Sequence, residues 1–284
     1  MKTRIHLTTL LILAVAVLQG CALMGSLVKR PVTQGPEKGT LIIVGGGEMP
    51  KIIFDRFFEA AGGRDAKLVV VPTAGTEATY DDSARAVKMF EKEGATDVHL
   101  LHTRDLKEAD TAKFVAVLND AEAVWFTGGR QWRLADAYLG TKTESAFHNV
   151  LKRGGVIGGS SAGATIQGSY LVRGAPEGNH IMMSPGHEKG FGFLRNAAID
   201  QHLLARKREN DLLKVVRRHS HLLGVGIDEA TAIVVKGRTA EVIGKSKVLF
   251  YDIALEKTLG EKFYIMLDPG GRYDLKSRRE LPTI

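Results

Sequence analysis

The sequence predicts a three-layer α/β/α fold in which a mostly parallel central sheet is covered by helices on both faces. Short runs rich in β-branched residues alternate with segments whose apolar residues recur every three to four positions. This alternation favours a parallel sheet, because each helix returns the chain to the edge where the next strand begins. With 284 residues, 44% of them hydrophobic, the chain is long enough for one large domain of this kind.

The elements follow one another in the order that such a sheet requires. Predicted strands occupy residues 41–44, 67–71, 98–101 and 121–127. Between them lie segments with helical spacing, such as the one that contains Ile53 and Phe57. Glycines follow the first, second and fourth strands. Ligands of open α/β sheets bind beyond the carboxyl ends of the strands, so a functional site is expected at these glycine clusters.

The first twenty residues have the pattern of a secretion signal. Two basic residues precede an apolar run, residues 7–18, which is too short to span a membrane as a helix. The sequence Leu-Gln-Gly-Cys that ends at Cys21 resembles a bacterial lipobox. We therefore predict a signal peptide at residues 1–20, a lipidated tether at 21–39 and a catalytic domain at 40–284. A plain signal peptide and a buried N-terminal helix are the alternatives.

Lipidation of Cys21 implies that the protein is secreted through the inner membrane and is attached to a lipid bilayer by its acyl anchor. Ala22 in the next position, where an aspartate would favour inner-membrane retention, resembles the sorting rule for the outer membrane. We therefore expect the mature protein at the outer membrane, in the periplasm or at the cell surface. Several acyl chains would anchor it without a spanning helix.

The composition excludes several functional classes. One cysteine excludes an intrachain disulfide framework, a Cys-rich zinc module and a Cys-X-X-Cys redox centre. The chain has no His-Glu-X-X-His or other metal-ligand spacing, so neither a metal nor another cofactor is expected. The formal charge is +7, but the basic residues are scattered and the aromatic content is 7%, so nucleic acid is not an expected partner. A homodimer is suggested by analogy alone.

Two of the glycine clusters allow more than one interpretation. Residues 45–47 resemble half of a dinucleotide fingerprint. No further glycine follows at the offset that the fingerprint requires, and no acidic residue ends a convincing second strand, so nucleotide binding is not predicted. Gly128 and Gly129 precede a predicted helix, and their backbone amides could hold an anion or an oxyanion. The alternative for this second cluster is a plain tight turn.

A third cluster, residues 154–164, points to a serine nucleophile. Ser161 lies between a predicted buried strand and a helix that begins with small residues, and Gly159 and Gly163 flank it in a G-X-S-X-G pattern. In a nucleophile turn the serine occupies a strained strand-to-helix corner, which small neighbours allow. The amide of Ala162 would then face the developing oxyanion.

Such a serine needs a base, and the mature chain offers eight histidines. His202 follows the strand-like residues 198–201, a position at which α/β sheets commonly place active-site residues. Pattern alone leaves His180 and His187 open, because they lie in a stretch rich in glycine and proline. The remaining histidines lie at predicted strand ends, on a helix surface or in a basic loop: His99, His102, His148, His219 and His221.

Four blocks in the same order resemble the cyanophycinase family of serine peptidases, which is related to aspartyl dipeptidases. They are FTGGRQWRL (126–134), GGSSAGA (158–164), IDQHLLARKR (199–208) and GVGIDEATAI (224–233). The resemblance extends over about residues 41–243 and implies a class I glutamine amidotransferase-like sheet. Four ordered blocks are far more specific than any one of them.

The resemblance implies a Ser-His-Glu triad. Ser161 would be the nucleophile, His202 the general base, and Glu229 the acid that orients the imidazole, with Asp228 as the competing candidate. Gly129 would join Ala162 in the oxyanion hole. The order serine, histidine, acid differs from the order serine, acid, histidine of α/β-hydrolases, and this argues against a lipase or esterase of that fold.

Members of this family cleave cyanophycin, a polyaspartate whose side chains carry amide-linked arginine, and release β-aspartyl-arginine dipeptides. Such a substrate needs a carboxylate partner for its guanidinium and basic partners for its carboxylates. The residues that match family recognition positions are Gln131, Asp200, Gln201, Arg206 and Arg208. The alternative for the arginines is a solvated basic helix face.

Two positions depart from the family pattern. Arg130 stands where the family usually has an acidic residue, and Asp211 stands where it has a further arginine. Such charge reversals could move specificity toward another isoaspartyl or acidic peptide. The predicted function is therefore a serine exopeptidase that hydrolyses cyanophycin. The alternatives are a peptidase of the same mechanism with another acidic dipeptide substrate and a noncatalytic surface-binding lipoprotein.

Overall fold

The computed structural model describes residues 32–282, and the first half of this region alternates strands and helices as predicted. Its elements are β1 Thr40–Val44, α1 Lys51–Ala61, β2 Leu68–Val71, α2 Arg85–Lys92, β3 Val98–Leu100, α3 Leu106–Ala109, α4 Ala112–Val115, a 3₁₀ turn Ala116–Leu118, β4 Ala123–Phe126, α5 Gln131–Tyr138, α6 Lys142–Lys152 and β5 Val156–Ser160.

The second half is dominated by strands. Its elements are α7 Ala162–Thr165, β6 Gly168–Tyr170, β7 Leu194–Gln201, α8 Asp211–Arg218, β8 Leu223–Ile227, β9 Thr231–Lys236, β10 Thr239–Gly244, β11 Val248–Tyr251, a 3₁₀ turn Ile253–Leu255, α9 Glu256–Leu259, β12 Tyr264–Leu267, β13 Arg272–Asp274 and β14 Arg279–Leu281.

Two of the longer helices show why their segments are helical. Helix α1 starts after Pro50 and ends at Gly62, which adopts the left-handed conformation with φ 99° and closes the last turn with its backbone N–H. Helix α6 is capped by the side chain of Thr141, which accepts a hydrogen bond from the Glu144 N–H. Such caps satisfy backbone groups that the helix itself leaves unpaired.

The larger sheet combines a parallel and an antiparallel part. Its strand order is β14-β13-β10-β9-β1-β5-β4-β2-β3. The five strands of the first half pair in parallel, with β1 next to β5 and Val44 opposite Ser160. The four later strands extend the sheet antiparallel from β1 outward. The carboxyl ends of β1, β5 and β4 therefore meet at one edge.

A second, smaller sheet has the order β12-β11-β8-β7-β6. Strands β6, β7 and β8 are parallel, and β11 and β12 are added antiparallel. Gln201 lies opposite Ile227 at the last position of the β7–β8 ladder. The residues directly after these two strands, His202 and Asp228, therefore leave the sheet side by side.

Three clusters of buried side chains connect the layers. The largest cluster contains residues from both sheets together with α5, α6 and α7, so it fills the space between the two sheets. A second cluster packs α1 and α2 on the opposite face of the larger sheet, and a third packs α8 on the outer face of the smaller one. Burial of apolar surface on every sheet face holds the strand ends at fixed positions.

Contacts with the folded region begin ahead of Thr40, inside the segment that the sequence assigns to the tether. Gln34 and Arg195 form an isolated antiparallel bridge, the Thr33 hydroxyl donates to the Asn196 carbonyl, and the Gly35 N–H donates to the Gly237 carbonyl. Glycine and proline in residues 35 and 36 suggested a linker, but long-range backbone pairing decided the conformation of this stretch.

The predicted α/β fold is confirmed, with helices on both faces of a parallel sheet. What the sequence pattern did not reveal is the share of antiparallel pairing and the second sheet. Both come from residues after 165, where β8 to β11 and β12 to β14 follow one another without intervening helices. Among the helices of the described residues, none has the length and hydropathy to cross a membrane.

Candidate active site

Ser161 occupies a strained corner between β5 and α7. Its backbone has φ 57° and ψ −112°, a conformation that side-chain-bearing residues rarely adopt. The Ser161 N–H donates to the Val44 carbonyl of the neighbouring strand, at 3.0 Å. This hydrogen bond fixes the corner to the end of β1, and the hydroxyl faces the edge at which the strands end. The geometry matches the nucleophile turn that the G-X-S-X-G pattern predicts.

His202 approaches this serine from the smaller sheet. It follows β7, has φ 54°, and donates its backbone N–H to the Gly45 carbonyl at 2.8 Å. Its side chain is only 9% exposed. The Ser161 Oγ lies 2.9 Å from His202 Nε2, which is hydrogen-bond distance.

Glu229 completes a hydrogen-bonded chain of three side chains. Its Oε1 lies 2.5 Å from His202 Nδ1. A carboxylate oxygen accepts, so Nδ1 carries the proton and Nε2 is left to accept from the serine hydroxyl. The side chain of Glu229 is 39% exposed, in contrast to the buried imidazole. The arrangement can therefore withdraw a proton from Ser161 and hold it on the imidazole.

Asp228, the competing candidate for the acid, does not contact the imidazole. Its Oδ1 accepts the backbone N–H groups of Leu204 and Ala205, both at 2.9 Å, and its Oδ2 accepts from the Ser246 hydroxyl at 2.7 Å. Burial alone would raise the pKa of Asp228, but the hydrogen bonds from Ser246 and the backbone amides lower it overall. Asp228 thus holds the turn that follows His202, and Glu229 is the carboxylate that contacts the ring.

Burial decides the protonation of His202. Removal of the imidazole from water lowers its pKa, the hydrogen bond to Glu229 opposes this effect, and the nearby charges of Arg206 and Arg208 reinforce it. The net pKa lies below the ordinary value of 6.5. His202 is therefore neutral near pH 7, as a general base must be.

The glycine run 45–47, considered above only for nucleotide binding, provides the space for the histidine and the glutamate. A Cβ on Gly46 would lie 2.3 Å from His202 Cε1, and a Cβ on Gly47 would lie 2.9 Å from Glu229 Oε2. Gly46 also has φ 113°, a conformation that side-chain-bearing residues rarely adopt. Sequence reasoning missed this function, although the position of the run, directly after the first strand, was a usable signal.

Two backbone N–H groups near Ser161 are available to an oxyanion. Within residues 32–282, neither Gly129 N–H nor Ala162 N–H donates to another group. Ala162 directly follows the serine, and a Cβ on Gly128 would lie 3.4 Å from Ser161 Cβ, so the Gly128-Gly129 turn is adjacent as well. The backbone around Gly129, φ 142°, packs against Ala74 so closely that a Cβ would lie 2.1 Å from its carbonyl oxygen.

The structure separates the five predicted recognition residues into buried and open groups. Gln131 is buried and donates to the carbonyls of Val172 and Arg173. Gln201 is buried and accepts from Arg208. Arg206 is exposed, its guanidinium has no hydrogen bond or ion pair within the described region, and it lies close enough to His202 to lower the pKa of the imidazole. Arg206 is therefore the open cation of this set.

Asp200 corrects the expectation of an open carboxylate for the substrate guanidinium. Its side chain is fully buried, with both oxygens bound to Arg173 at 2.8 and 2.9 Å. Asp211 also accepts from Arg173, at 2.5 Å, and its side chain is 39% exposed. Arg173 escaped sequence reasoning because no motif surrounds it. A buried charge must be paired, and this network pairs Arg173 twice.

Arg130 and Asp211, the two departures from the family pattern, both have partners within the protein. The Arg130 guanidinium donates to the carbonyls of Ala175 and Pro176, at 3.2 and 3.4 Å. Asp211 faces Arg173 as described. Charge reversal at these positions thus changes contacts within the protein.

Cys21 lies outside the described residues, together with the predicted signal peptide and most of the tether. Across residues 32–282, no group of three or more His, Cys, Asp or Glu side chains could hold a metal ion.

Residues 39–243, well over half of the chain, match the model of peptidase family S51. A cyanophycinase of Geminocystis herdmanii is 32% identical over 223 residues, which cover 76% of this chain and 81% of the relative. A cyanophycinase of a Nostoc species is 29% identical over 222 residues, 75% of this chain and 74% of the relative.

Two solved structures have a similar fold. A peptidase from an acI-B1 actinobacterium has a TM-score of 0.60 at 24% identity, over 85% of this chain and 98% of its own. A putative peptidase E from Listeria monocytogenes has a TM-score of 0.55 at 16% identity, over 74% of this chain and all of its own. These structures support the fold alone, which is the glutamine amidotransferase-like α/β type. The family model and the cyanophycinase relatives lead to one conclusion: the chain belongs to peptidase family S51 and is a serine-type peptidase.

Proposed function

We propose that this protein is an exopeptidase that hydrolyses cyanophycin to β-aspartyl-arginine dipeptides, with Ser161, His202 and Glu229 as its catalytic triad. The observation that carries the triad is the continuous hydrogen-bonded chain from Ser161 Oγ through the imidazole to Glu229. Its members come from the ends of β5, β7 and β8, and the serine has the strained backbone of a nucleophile turn.

In the proposed reaction, His202 Nε2 takes the proton of Ser161 Oγ while the oxygen attacks the carbonyl carbon of the scissile peptide bond. The amides of Gly129 and Ala162 stabilise the negative charge that forms on the carbonyl oxygen. The imidazolium, stabilised by Glu229, then donates its proton to the leaving nitrogen as the C–N bond breaks. Water, deprotonated by the same imidazole, hydrolyses the acyl-enzyme and restores Ser161.

The charges near the triad support an acidic substrate. Arg206 is exposed to solvent and lies near His202. The guanidinium of Arg208 donates to the side chain of Gln201. An arginine guanidinium binds a carboxylate through two parallel hydrogen bonds, so both residues suit the carboxylates of a β-aspartyl-arginine unit. Both carboxylate oxygens of Asp200 are bound to Arg173. Asp211, the second partner of Arg173, is partly exposed, so it is the carboxylate of this network that can reach a substrate guanidinium.

A peptidase of the same mechanism for other isoaspartyl or acidic dipeptides is the second candidate. It is favoured by Arg130 and Asp211, which depart from the family pattern. A noncatalytic binding lipoprotein is the third candidate. A binding function alone would not require a strained serine that is hydrogen-bonded to a neutral histidine.

A substrate panel tests the proposal. Purified protein is incubated with insoluble cyanophycin, isoaspartyl dipeptides and α-aspartyl dipeptides, and the released dipeptides are identified by mass spectrometry. We expect β-aspartyl-arginine from cyanophycin as the main product. Hydrolysis of an isoaspartyl or α-aspartyl dipeptide with cyanophycin left intact would overturn the substrate assignment and retain the peptidase, whereas no hydrolysis of any member would contradict both.

We also propose that Cys21 carries the lipid anchor and that the enzyme acts at the outer membrane, in the periplasm or at the cell surface. Labelling cells with radioactive palmitate should mark the wild type and leave Cys21→Ser unlabelled.

A homodimer, for which analogy is the only support, would elute at twice the monomer mass in size-exclusion chromatography with light scattering.

A further inference from the structure

The loop that follows β2, residues 74–84, lies directly against the turn that carries Gly129. The Arg130 N–H donates to the Ala74 carbonyl at 2.8 Å, and the nearest atoms to a Cβ on Gly129 belong to Ala74 and Gly75. The position of the Gly129 amide, one of the two candidate oxyanion donors, therefore depends on where this loop holds its backbone.

Two arginines hold the start of the loop through its carbonyl groups. Arg133 of α5 donates to the carbonyls of Ala74 and Gly75, at 3.2 and 2.5 Å. Arg104, from the segment after β3, donates to the carbonyls of Gly75 and Glu77, both at 2.8 Å. Each guanidinium bridges two carbonyls, so the loop is fixed by its backbone and not by its sequence.

His102 holds the next part of the loop. Its Nε2 lies 3.1 Å from the Ala78 carbonyl, and its Nδ1 lies 2.9 Å from Thr73 Oγ1. The Tyr80 ring packs edge-on against the imidazole, with ring centroids 4.8 Å apart. His102 thus contacts the loop at Ala78 and Tyr80 and the residue that precedes it at Thr73.

The direction of these hydrogen bonds requires a neutral imidazole. A carbonyl can only accept, so Nε2 carries the proton and Nδ1 accepts from the Thr73 hydroxyl. Thr73 Oγ1 in turn lies 2.7 Å from the buried Tyr138 hydroxyl, which also accepts from the Thr103 N–H at 3.4 Å. When Nδ1 accepts from Thr73, the Tyr138 proton can go to Thr73 Oγ1, whereas a proton on Nδ1 would leave either the Thr73 or the Tyr138 proton without an acceptor in the core.

We propose that His102 is a positioning residue for catalysis: in its neutral form it fixes the 74–84 loop, and through Ala74 the loop fixes the Gly129 amide for the oxyanion. The inference rests on the proposed Ser161 mechanism, because the amide has this function only there. His102 does not touch the reacting atoms, so its loss should lower the rate of the chemical step more than substrate binding.

Protonation should break the hydrogen bond between Thr73 and His102 Nδ1, because Nδ1 then carries a proton, whereas Nε2 still donates to the Ala78 carbonyl. The charged and titratable groups that face His102 are Arg104 and Glu108 from the segment after β3, Tyr80 from the loop, and Tyr138 from α5. Burial lowers the pKa of His102, the Ala78 carbonyl opposes this shift, and Arg104 lowers it further. Since the folded-state pKa is depressed, the Thr73 contact that ties His102 to the core is present above the ordinary histidine pKa and is lost as the pH falls through the lowered value.

Three variants test the positioning function. His102→Ala removes both hydrogen bonds, and we expect kcat to fall by about tenfold to a hundredfold with KM changed by less than about threefold. His102→Gln places an amide N–H near the former Nε2 and cannot titrate, so it should recover most of the rate at pH 8. The control, His99→Ala, removes a half-exposed histidine of β3 whose ring nitrogen bonds to Asp97, and it should leave kcat unchanged.

Hydrogen–deuterium exchange in the Ser161→Ala background supplies a readout that needs no activity. We expect faster exchange in residues 74–84 and 127–133 for His102→Ala, and wild-type protection for His102→Gln and His99→Ala. Unchanged kcat, a rise in KM alone, or loss of protection throughout the domain would overturn the inference. If the wild type cleaves no substrate, the proposed function fails, and exchange alone then decides whether His102 holds the loop.

Discussion

The two sheets contribute different parts of the candidate site, and they fix them by different means. The larger sheet presents Ser161 and the Gly129 amide, which are held by backbone strain and by backbone contacts to Val44 and Ala74. The smaller sheet presents His202 and Glu229, which are held by side-chain packing against a glycine run and by the Asp228 turn. Both sides use a positive φ and a backbone hydrogen bond, at Ser161 and at His202, and the acid–base side depends in addition on side-chain identity.

On the acid–base side, removal of the Glu229 carboxylate should cause a large loss of activity. In Glu229→Gln the amide can stabilise the wrong tautomer and cannot compensate the imidazolium, so we expect kcat to fall roughly 10³- to 10⁴-fold. Asp228→Asn is the matched control, because it changes the neighbouring carboxylate in the same way. It should lose less than about tenfold, since an amide oxygen can still accept from Leu204 and Ala205.

If Asp228→Asn lost as much activity as Glu229→Gln, the assignment of the orienting acid would be wrong. Thermal unfolding of both variants separates a catalytic loss from a folding defect. We expect the two melting temperatures to lie within a few degrees of each other, since each variant keeps the volume of the side chain that it replaces.

A methyl group on Gly46 should disturb the same side by sterics alone. The new Cβ would lie 2.3 Å from His202 Cε1 and must displace the ring, so we expect Gly46→Ala to lower kcat by about 10²-fold. Gly62→Ala is the control for backbone strain, because Gly62 also has positive φ, at 99°, but nothing lies within 4 Å of its Cβ position. Steady-state rates that fall equally in both variants would point to general destabilisation.

Substrate binding should respond less than the chemical step. Asp211→Asn weakens the proposed contact to a substrate guanidinium, and we expect KM for arginine-bearing substrates to rise about tenfold while peptides without arginine are unaffected. Initial rates on a matched pair of β-aspartyl peptides, with and without arginine, measure this difference. An equal rise for both peptides would assign Asp211 a purely structural function as the partner of Arg173.

The pH profile should show the smallest and most specific effect. His202 must be neutral to act, and burial lowers its pKa, so the acid limb of kcat/KM should lie below the ordinary histidine pKa of 6.5. Arg206→Gln removes a positive charge that lowers this pKa, so the pKa should rise and the limb should move to higher pH. A limb that moves to lower pH, or does not move, would contradict the proximity of Arg206 to the imidazole.

Sequence reasoning predicted the parallel half of the fold because each of its strands is a short apolar run followed by a helix of clear periodicity. Ser161 was predictable for a related reason, since its flanking glycines report a local backbone requirement. The resemblance supplied His202 and Glu229, which come from distant points of the chain. Arg173 and the clearance function of Gly46 could not be predicted, because both depend on which strand ends meet in space.

The buried state of Asp200 shows the same limit from the opposite side. An aspartate two positions before the proposed catalytic histidine suggests an open contact to a substrate cation, and the sequence has no feature that pairs it with Arg173, 27 positions earlier. The burial of Asp200 beside Arg173 depends on how the β6–β7 region packs, and the sequence pattern did not predict this packing.

The most direct test of the central claim compares wild type and Ser161→Ala in the release of β-aspartyl-arginine from cyanophycin. The substitution removes one oxygen atom from a half-buried side chain, so circular dichroism and thermal unfolding should match the wild type. We expect a rate at least about 10⁴-fold lower for a variant that remains folded. A folded Ser161→Ala protein that releases the dipeptide at a rate near that of the wild type would contradict it.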